Sequence, residues 1–265
     1  MYDFYKGDLL DPNDDYSILK INNCYDDKYM SLNVAYDFND KKLEYLKIKY
    51  SLKQIAGKGS DYIKQIRLMN WVRKTLTPGL CFNTNQITTD YILKNAQNGL
   101  KCNCFMFALV LTDIFLAMGY RARLVRCMPL DLRFNECHCM VLVYSDFFNK
   151  NIAFDPALRG LYFGDSNIPL DIKELKNLII NKGKVRFLWN YIENMVPDTV
   201  SYLTKNLVRF EYYLNVKYFN HNNKKNQKIL SLMPLTMPVS SKKILKNKIC
   251  LEYIITHNEE LFWSL

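Results

Sequence analysis

The chain has 265 residues, 49% of them hydrophobic, eight cysteines and a formal net charge of +10. That is apolar material for a substantial core in one domain with embellishments. No signal peptide is expected, because MYDFYKGDLLDPNDDY lacks a basic segment followed by an apolar one, and the cysteines are then expected as reduced thiols in a cytoplasm rather than a disulfide framework.

Residues 1–42 are polar, acidic in patches, and give no defined element. Lys41 to Lys53 alternates enough to predict a strand, Leu46 to Tyr50. Gly57-Lys58-Gly59-Ser60 reads as a hinge, with Ser60 the N-cap of a helix from Asp61 to about Leu76 that Pro78-Gly79 ends. After a loop, Asp90 to Ala96 reads as a short helix with Thr89 as its cap. Asn98-Gly99 is a turn signal, and Asn103 then caps an apolar helix opening on Cys104. Cys104, Ala108, Leu111 and Phe115 recur at helical spacing, and Gly119 stands where a left-handed C-terminal cap wants no Cβ. The longest apolar run, Cys104 to Met118, is broken by Thr112 and Asp113 and is too short to span a bilayer, so it is read as a buried helix and no membrane segment is expected.

Three strand-like runs follow, near 121–128, 137–144 and 151–155, the last two joined by Ser145 to Lys150 and able to pair antiparallel. Asp171-x-x-Glu174 is a capping-box variant opening another helix, and Val196-Pro197-Asp198 opens one that runs to about Asn206. Residues 207–219 and 248–256 again read as strands, separated by the loop His221 to Gln227 and the stretch around Pro234 and Pro238. There is no internal repeat. Helices first and antiparallel strands after them predict an α+β fold.

The chemistry concentrates where the apolar helix begins. A helix N-terminus carries partial positive charge and lowers a thiol's pKa, so Cys104 is placed to become a thiolate. His138 heads one apolar run, HCMVLVY, and Asp155 ends the next, NIAFDP. A hairpin of those runs would return Asp155 towards His138, since paired strands lie about 5 Å apart, and a carboxylate beside an imidazole fixes its tautomer and orientation. Taken singly, a cysteine on an apolar helix and a histidine beside a strand are ordinarily structural; the constellation carries the reading. Cys102 is the rival nucleophile, but it precedes the helix and is out of its register. Cys137-His138-Cys139 with Cys102-x-Cys104 raises zinc as an alternative. Alternation on a strand puts the two cysteines on one face and His138 on the other, and the spacing is not that of structural zinc sites. Neither metal nor cofactor is expected, and His221 and His257 are read as surface residues.

The charge is uneven: residues 205–250 hold ten Lys or Arg against one acid, Glu211, for a net +9. Aromatics such as Phe210, Tyr212 and Phe219 interleave with them, a combination able to bind single-stranded nucleic acid or an anionic surface. The favoured reading is a solvated sheet edge studded with lysines, and nucleic acid is not expected as a partner, because no nucleic-acid module motif is present.

The pattern Cys104, Ala108, Gly119-Tyr120-Arg121-Ala122-Arg123, His138 and Asp155-Pro156 resembles the transglutaminase-like superfamily of papain-like thiol enzymes. Asn70-Trp71-Val72, Asp90-Tyr91-Ile92-Leu93, Tyr202 to Leu207 and Phe262-Trp263 look like its bacterial members. The resemblance covers about 60–165, with 1–59 as an N-terminal extension packed on that core and 166–265 completing a single domain. It implies a papain/transglutaminase-like core whose nucleophile opens a buried helix on an antiparallel sheet. It also implies that Cys104 is the nucleophile, His138 the general base and acid, and Asp155 the group orienting His138. The substrate would be a peptide or protein amide. The sequence departs from the pattern at Met140 and Leu142, where an aromatic and an acidic residue are common. The oxyanion would be held by the Cys104 N–H and a second donor, with Asn83 and Trp71 the candidates. Three classes remain: a peptidase or amidase, an amine-accepting transglutaminase or conjugating enzyme, and a non-catalytic binding module that keeps the fold. The intact Cys-His-Asp set disfavours the last, and a small chain without a calcium motif leans towards hydrolysis.

Overall fold

The computed structural model describes residues 32–80, 87–130, 137–158, 160–188, 202–219, 227–235 and 252–264. A short strand β1 (Ala35–Tyr36) is followed by α1 (Lys41–Lys49), α2 (Leu52–Ala56), α3 (Asp61–Thr75), β2 (Thr77–Pro78), α4 (Thr89–Ala96), β3 (Lys101–Cys102) and α5 (Cys104–Ala117). Then come β4 (Ala122–Met128), β5 (His138–Ser145), β6 (Lys150–Phe154), β7 (Tyr162–Phe163), α6 (Ile172–Ile180) and β8 (Arg186–Phe187). Helical residues 202–206 precede β9 (Arg209–Tyr213), β10 (Asn215–Val216), β11 (Lys228–Leu232), β12 (Glu252–Thr256) and the closing helix α7 (Glu259–Ser264).

The architecture is mixed α/β. Six strands form one sheet in the order β12-β11-β9-β4-β5-β6. All neighbours are antiparallel except β11 and β12, which run parallel, so the sheet is mixed and not wholly antiparallel as expected. Strand β11 lies where the sequence reading had only a loop and a proline-bearing stretch; in KILSL the residues from Ile229 to Leu232 are all buried, without the alternation that signals a half-exposed strand.

Helix α5 explains the layering. From Met106 to Ala117 every side chain is buried, and a helix apolar all round must be covered all round. Helices α1, α3 and α4 pack on one side of it, and β4 and β5 on the other. Leu43, Leu46, Leu68, Val72, Ile92 and Phe115 join Val141, Val143 and Phe154 in that core. On the sheet's opposite face Val125, Met140 and Leu142 pack with Leu175, Leu203 and Phe262 from α6, the 202–206 turn and α7. Asp113, the interruption in the apolar run, is buried inside α5 and accepts from Thr89 Oγ1 at 2.6 Å; burial pushes its carboxyl up to about 8 against that bond.

The helix ends follow the local chemistry. Ser60 accepts from Ile63 N, Asn103 from Met106 N, and Asp171 and Glu174 form the reciprocal capping box. At α4 the cap is Thr88, not Thr89, whose hydroxyl is committed to Asp113. Gly119 closes α5 at φ 84°. The Tyr120 N–H reaches Phe115 O and the Gly119 N–H reaches Leu116 O, with the Phe115 and Tyr120 rings in contact. That is a Schellman stop, and it needs a residue without Cβ.

Lys41 to Lys49 is helical and a turn at Tyr50-Ser51 leads into α2, correcting the predicted strand. Leu43 and Leu46, three apart, are buried, whereas Ile48 is 70% exposed, and Asp40 caps the helix by accepting from Lys42 N. The alternation that suggested a strand came from lysines between apolar residues, and tertiary cover of the 43/46 face decides for the helix. His257, read as a surface residue, is half-buried with Nδ1 2.8 Å from Met233 O; His221 lies outside the described residues.

Leu46→Ala should cost about 2–5 kcal/mol, whereas Ile48→Ala should stay within about 0.5 kcal/mol. Urea unfolding of the two variants checks this; equal losses would fit a strand face carrying both residues and contradict the helix.

Candidate active site

Three elements converge on one end of the central layer. Cys104 is the first residue of α5, and its sulfur lies 3.4 Å from Cys137 O, just ahead of β5. His138 is the first residue of β5 and Asp155 directly follows β6, the adjacent antiparallel strand. His138 Nε2 and Asp155 Oδ2 are 2.8 Å apart, and both residues are fully buried. The hairpin expected from 137–155 therefore forms, and it brings these two side chains together.

Asp155 is held from all sides. Its backbone exchanges hydrogen bonds with Gly160, Leu158 N–H donates to Oδ1 at 3.0 Å, and the Tyr162 hydroxyl donates to Oδ2. From α3, Arg73 donates to the carbonyls of Pro156 and Leu158 at 2.9 Å, fastening the turn that follows. Burial alone would raise the carboxyl's pKa, but His138, Tyr162 and the Leu158 N–H hold it below the ordinary carboxylate value. Burial likewise opposes a charged imidazole; the Asp155 charge and hydrogen bond, with the Cys104 thiol as a further partner, outweigh it and lift His138 to about 10. The Tyr202 ring stands edge-on to the imidazole, centroids 5.5 Å apart.

With Nε2 engaged by Asp155, Nδ1 is the ring nitrogen left for Cys104. The Cys104 thiol is half-buried. A hydrogen bond from the Cys139 thiol, and then the hydrogen bond and charge of His138, pull it well below the ordinary thiol value against burial. The helix start acts in the same sense. Asn103 takes the Met106 N–H and its carbonyl takes that of Phe107 at 3.1 Å, so the N–H groups of Cys104 and Phe105 have no intrahelical acceptor. The site is thus arranged for a thiolate beside an imidazolium, with free amide donors at the sulfur's own helix turn.

The other sequence candidates fall elsewhere. Cys102 is buried, with its thiol directed to Leu100 O at 3.8 Å, and β3 pairs it with Pro78. Trp71 is half-buried on α3, its ring 5.7 Å from that of Tyr50, and Asn83 lies outside the described residues. Met140 and Leu142 face the core beneath α6. Among the described residues no group of three or more His, Cys, Asp or Glu side chains is arranged to hold a metal ion, and no helix is long and apolar enough to cross a membrane. Of the cations in 205–250, Arg209 is buried and donates to Pro129 O at 2.6 Å, Lys217 and Lys228 are exposed, and six lysines lie outside the described residues. Sequence reasoning missed Tyr162 and Gly160 as supports of Asp155. The signal was an aromatic shortly after Asp155-Pro156, with a glycine two residues before it, at φ 81°, able to turn the chain back.

No protein-family model matches the sequence, and no curated protein does. Among solved structures, a protein described as "a Putative Cysteine Protease from Cytophaga hutchinsonii" is similar over 44% of this chain, at 16% identity and a TM-score of 0.35. The matched part spans only 38% of that structure's length, and at such a score the likeness adds nothing to the argument.

Iodoacetamide at neutral pH should alkylate Cys104 ahead of Cys102, and the rate should fall only on acidification through a midpoint well below 9. His138→Ala should move that midpoint upward. Mass-spectrometric mapping of labelled protein across pH checks both; preferential labelling of Cys102 would move the assignment there.

Proposed function

We propose that this chain is a thiol-dependent amide hydrolase of papain/transglutaminase-like type, acting on peptide or protein amides through Cys104, His138 and Asp155. The single observation that carries the reading is the buried His138–Asp155 pair, 2.8 Å apart, beside which Cys104 opens a buried, capped helix with its sulfur 3.4 Å from the Cys137 carbonyl. The layer arrangement, with a buried helix packed on a sheet whose adjacent strands carry the histidine and the aspartate, supports the same family reading.

The Cys104 thiolate attacks the amide carbonyl carbon and forms a tetrahedral oxyanion, placed for the N–H groups at the start of α5. The His138 imidazolium gives its Nδ1 proton to the departing amine as the C–N bond breaks, leaving a thioester on Cys104. His138, now neutral, takes a proton from water, which attacks the thioester; the acid product leaves and the thiolate–imidazolium pair is restored. Asp155 stays ionised throughout, holding the ring so that Nδ1 faces the sulfur.

Cleavage of a peptide library, read by mass spectrometry with and without an added primary amine, tests the proposal. New carboxyl termini should form; amine adducts in their place would assign the acceptor to an amine instead of water. Cys104→Ala should abolish turnover, and Asp155→Asn should lower kcat by up to about 10⁴-fold by favouring the wrong tautomer. The pH profile has a definite sign. Turnover should rise as the thiolate forms below the ordinary thiol range and fall as pH passes about 10, where His138 loses the proton that the leaving amine needs. Alkylation of Cys104, which needs no proton donor, should not share that alkaline fall. Turnover unchanged in Cys104→Ala would refute the mechanism.

A further inference from the structure

Arg126 has no part in the amide chemistry, yet the sheet carries it to the edge of the site. It stands opposite Cys139 in the β4–β5 register, with Cys127 opposite His138. Arg126 therefore shares the α5-facing side of the sheet with Cys139 and lies diagonally across from Cys137, two residues earlier. Diagonal neighbours on paired strands are about 7–8 Å apart, within reach of a long side chain. Cys137 is the residue whose carbonyl lies 3.4 Å from the Cys104 sulfur. A row of rings leads to the same place from α5. Phe105, next to Cys104, meets Phe219 edge-on at 5.7 Å, and Phe219 meets Tyr213 at 6.3 Å. Tyr213 is two residues from Glu211 on β9, which stands opposite Arg126.

Glu211 orients the guanidinium. Its Oε2 accepts from Arg126 Nη1 at 3.3 Å, and its Oε1 accepts from the Ser231 hydroxyl at 3.4 Å. The Glu211 side chain is 3% exposed, whereas that of Arg126 is 37% exposed. The carboxylate is thus directed inward, and the part of the pair that reaches solvent is the guanidinium. A guanidinium presents several N–H donors in a planar fork and no acceptor. After one bond to Glu211 it keeps donors for a second planar anion, and a carboxylate fits such a fork with both oxygens.

We propose that Arg126 is a specificity-determining residue of this site, and that the favoured substrate is a peptide amide flanked by a carboxylate, which the guanidinium takes while Cys104 attacks the amide. The inference rests on the thiol amide-hydrolase reading and names its substrate class. The carboxylate can come from an Asp or Glu side chain near the scissile bond or from a free C-terminus, since both present the same pair of oxygens. Phe105, Phe219 and Tyr213 wall one side of the approach. Apolar walls strengthen a charge-assisted bond, because less water competes for it. A Lys or Arg in the same position of the substrate would meet like charge and be rejected.

The first readout needs no turnover. Cys104 in the full chain is alkylated in parallel with iodoacetate, an anion, and with iodoacetamide, its neutral counterpart, at one pH and ionic strength. Mass-spectrometric mapping reads each rate at Cys104. The His138 charge favours iodoacetate in every variant, so the comparison is the ratio of the two rates. In Arg126→Gln the ratio should fall about three- to tenfold, between the size of an exposed ion pair and that of a hydrogen bond to a charged group. An unchanged ratio would overturn the proposal. If Arg126→Gln does not fold because Glu211 loses its partner, Arg126→Gln combined with Glu211→Gln removes the pair together, and the same fall is expected. The second readout is cleavage of a peptide library with free and with amidated C-termini. Enrichment of Asp or Glu beside the cut in both sets assigns a side-chain carboxylate, and cleavage confined to free C-termini assigns the terminal one. Cleavage with neither preference, or with a preference for Lys or Arg, would overturn the proposal. A chain that cleaves nothing while the ratio still falls would support the Arg126 contact and refute the amide-hydrolase reading.

Discussion

A carboxylate with no surface in water cannot stay charged unless donors surround it, and Asp155 is that carboxylate. Its three donors come from three directions: His138 on the adjacent strand, the Leu158 N–H from the turn that follows, and the Tyr162 hydroxyl beyond it, while Gly160 pairs with the Asp155 backbone. Burial would drive Asp155 and His138 to their neutral forms; the pair stays charged because each is the other's strongest compensation. The sign of the linkage is fixed accordingly. His138, raised to about 10, contributes stability that is complete below its unfolded value near 6.5 and is lost as pH climbs through about 10. Asp155, lowered, contributes stability above its unfolded value near 3.8 that is lost as pH falls. Neutral pH lies between the two losses.

Helix α5 is the second constraint, and it places the sulfur. Its sides are fully covered by helices on one side and strands on the other, so it cannot rotate or slide without opening the core. Asn103 at one end and Gly119 at the other fix where it begins and stops. Cys104 is therefore held at a helix start against the first residues of β5 by packing that has nothing to do with chemistry.

Much of this was legible in the sequence because the signals were local. Caps at Ser60, Asn103 and Asp171, the glycine stop at Gly119 and the 137–155 hairpin each depend on a few neighbouring residues, and all stand as read. What was not legible depends on distant cover. Lys41 to Lys49 is helical because Leu43 and Leu46 join a core in which α1 packs on α5 and α2, and β11 is a strand because β9 and β12 flank it. At the site, Cys104, His138 and Asp155 could be named from order and spacing. Tyr162 could not, because a tyrosine seven residues after an aspartate announces no bond; only the turn at Gly160 brings it back. Cys139 was weighed as a metal ligand and set aside on the alternation of faces, and it is buried in the core shared with α5.

The central claim is that Cys104 and His138 rest as a charged pair anchored by Asp155. The most direct measurement is nitrogen NMR of the chain carrying ¹⁵N-labelled histidine, following the His138 ring through pH with Cys104→Ser as the comparison. The account predicts a ring protonated at both nitrogens throughout the neutral range, titrating near 10 in the unaltered chain and lower once the sulfur is removed. A ring that is already neutral at pH 7, titrating near 6.5 and unaffected by Cys104→Ser, would contradict it.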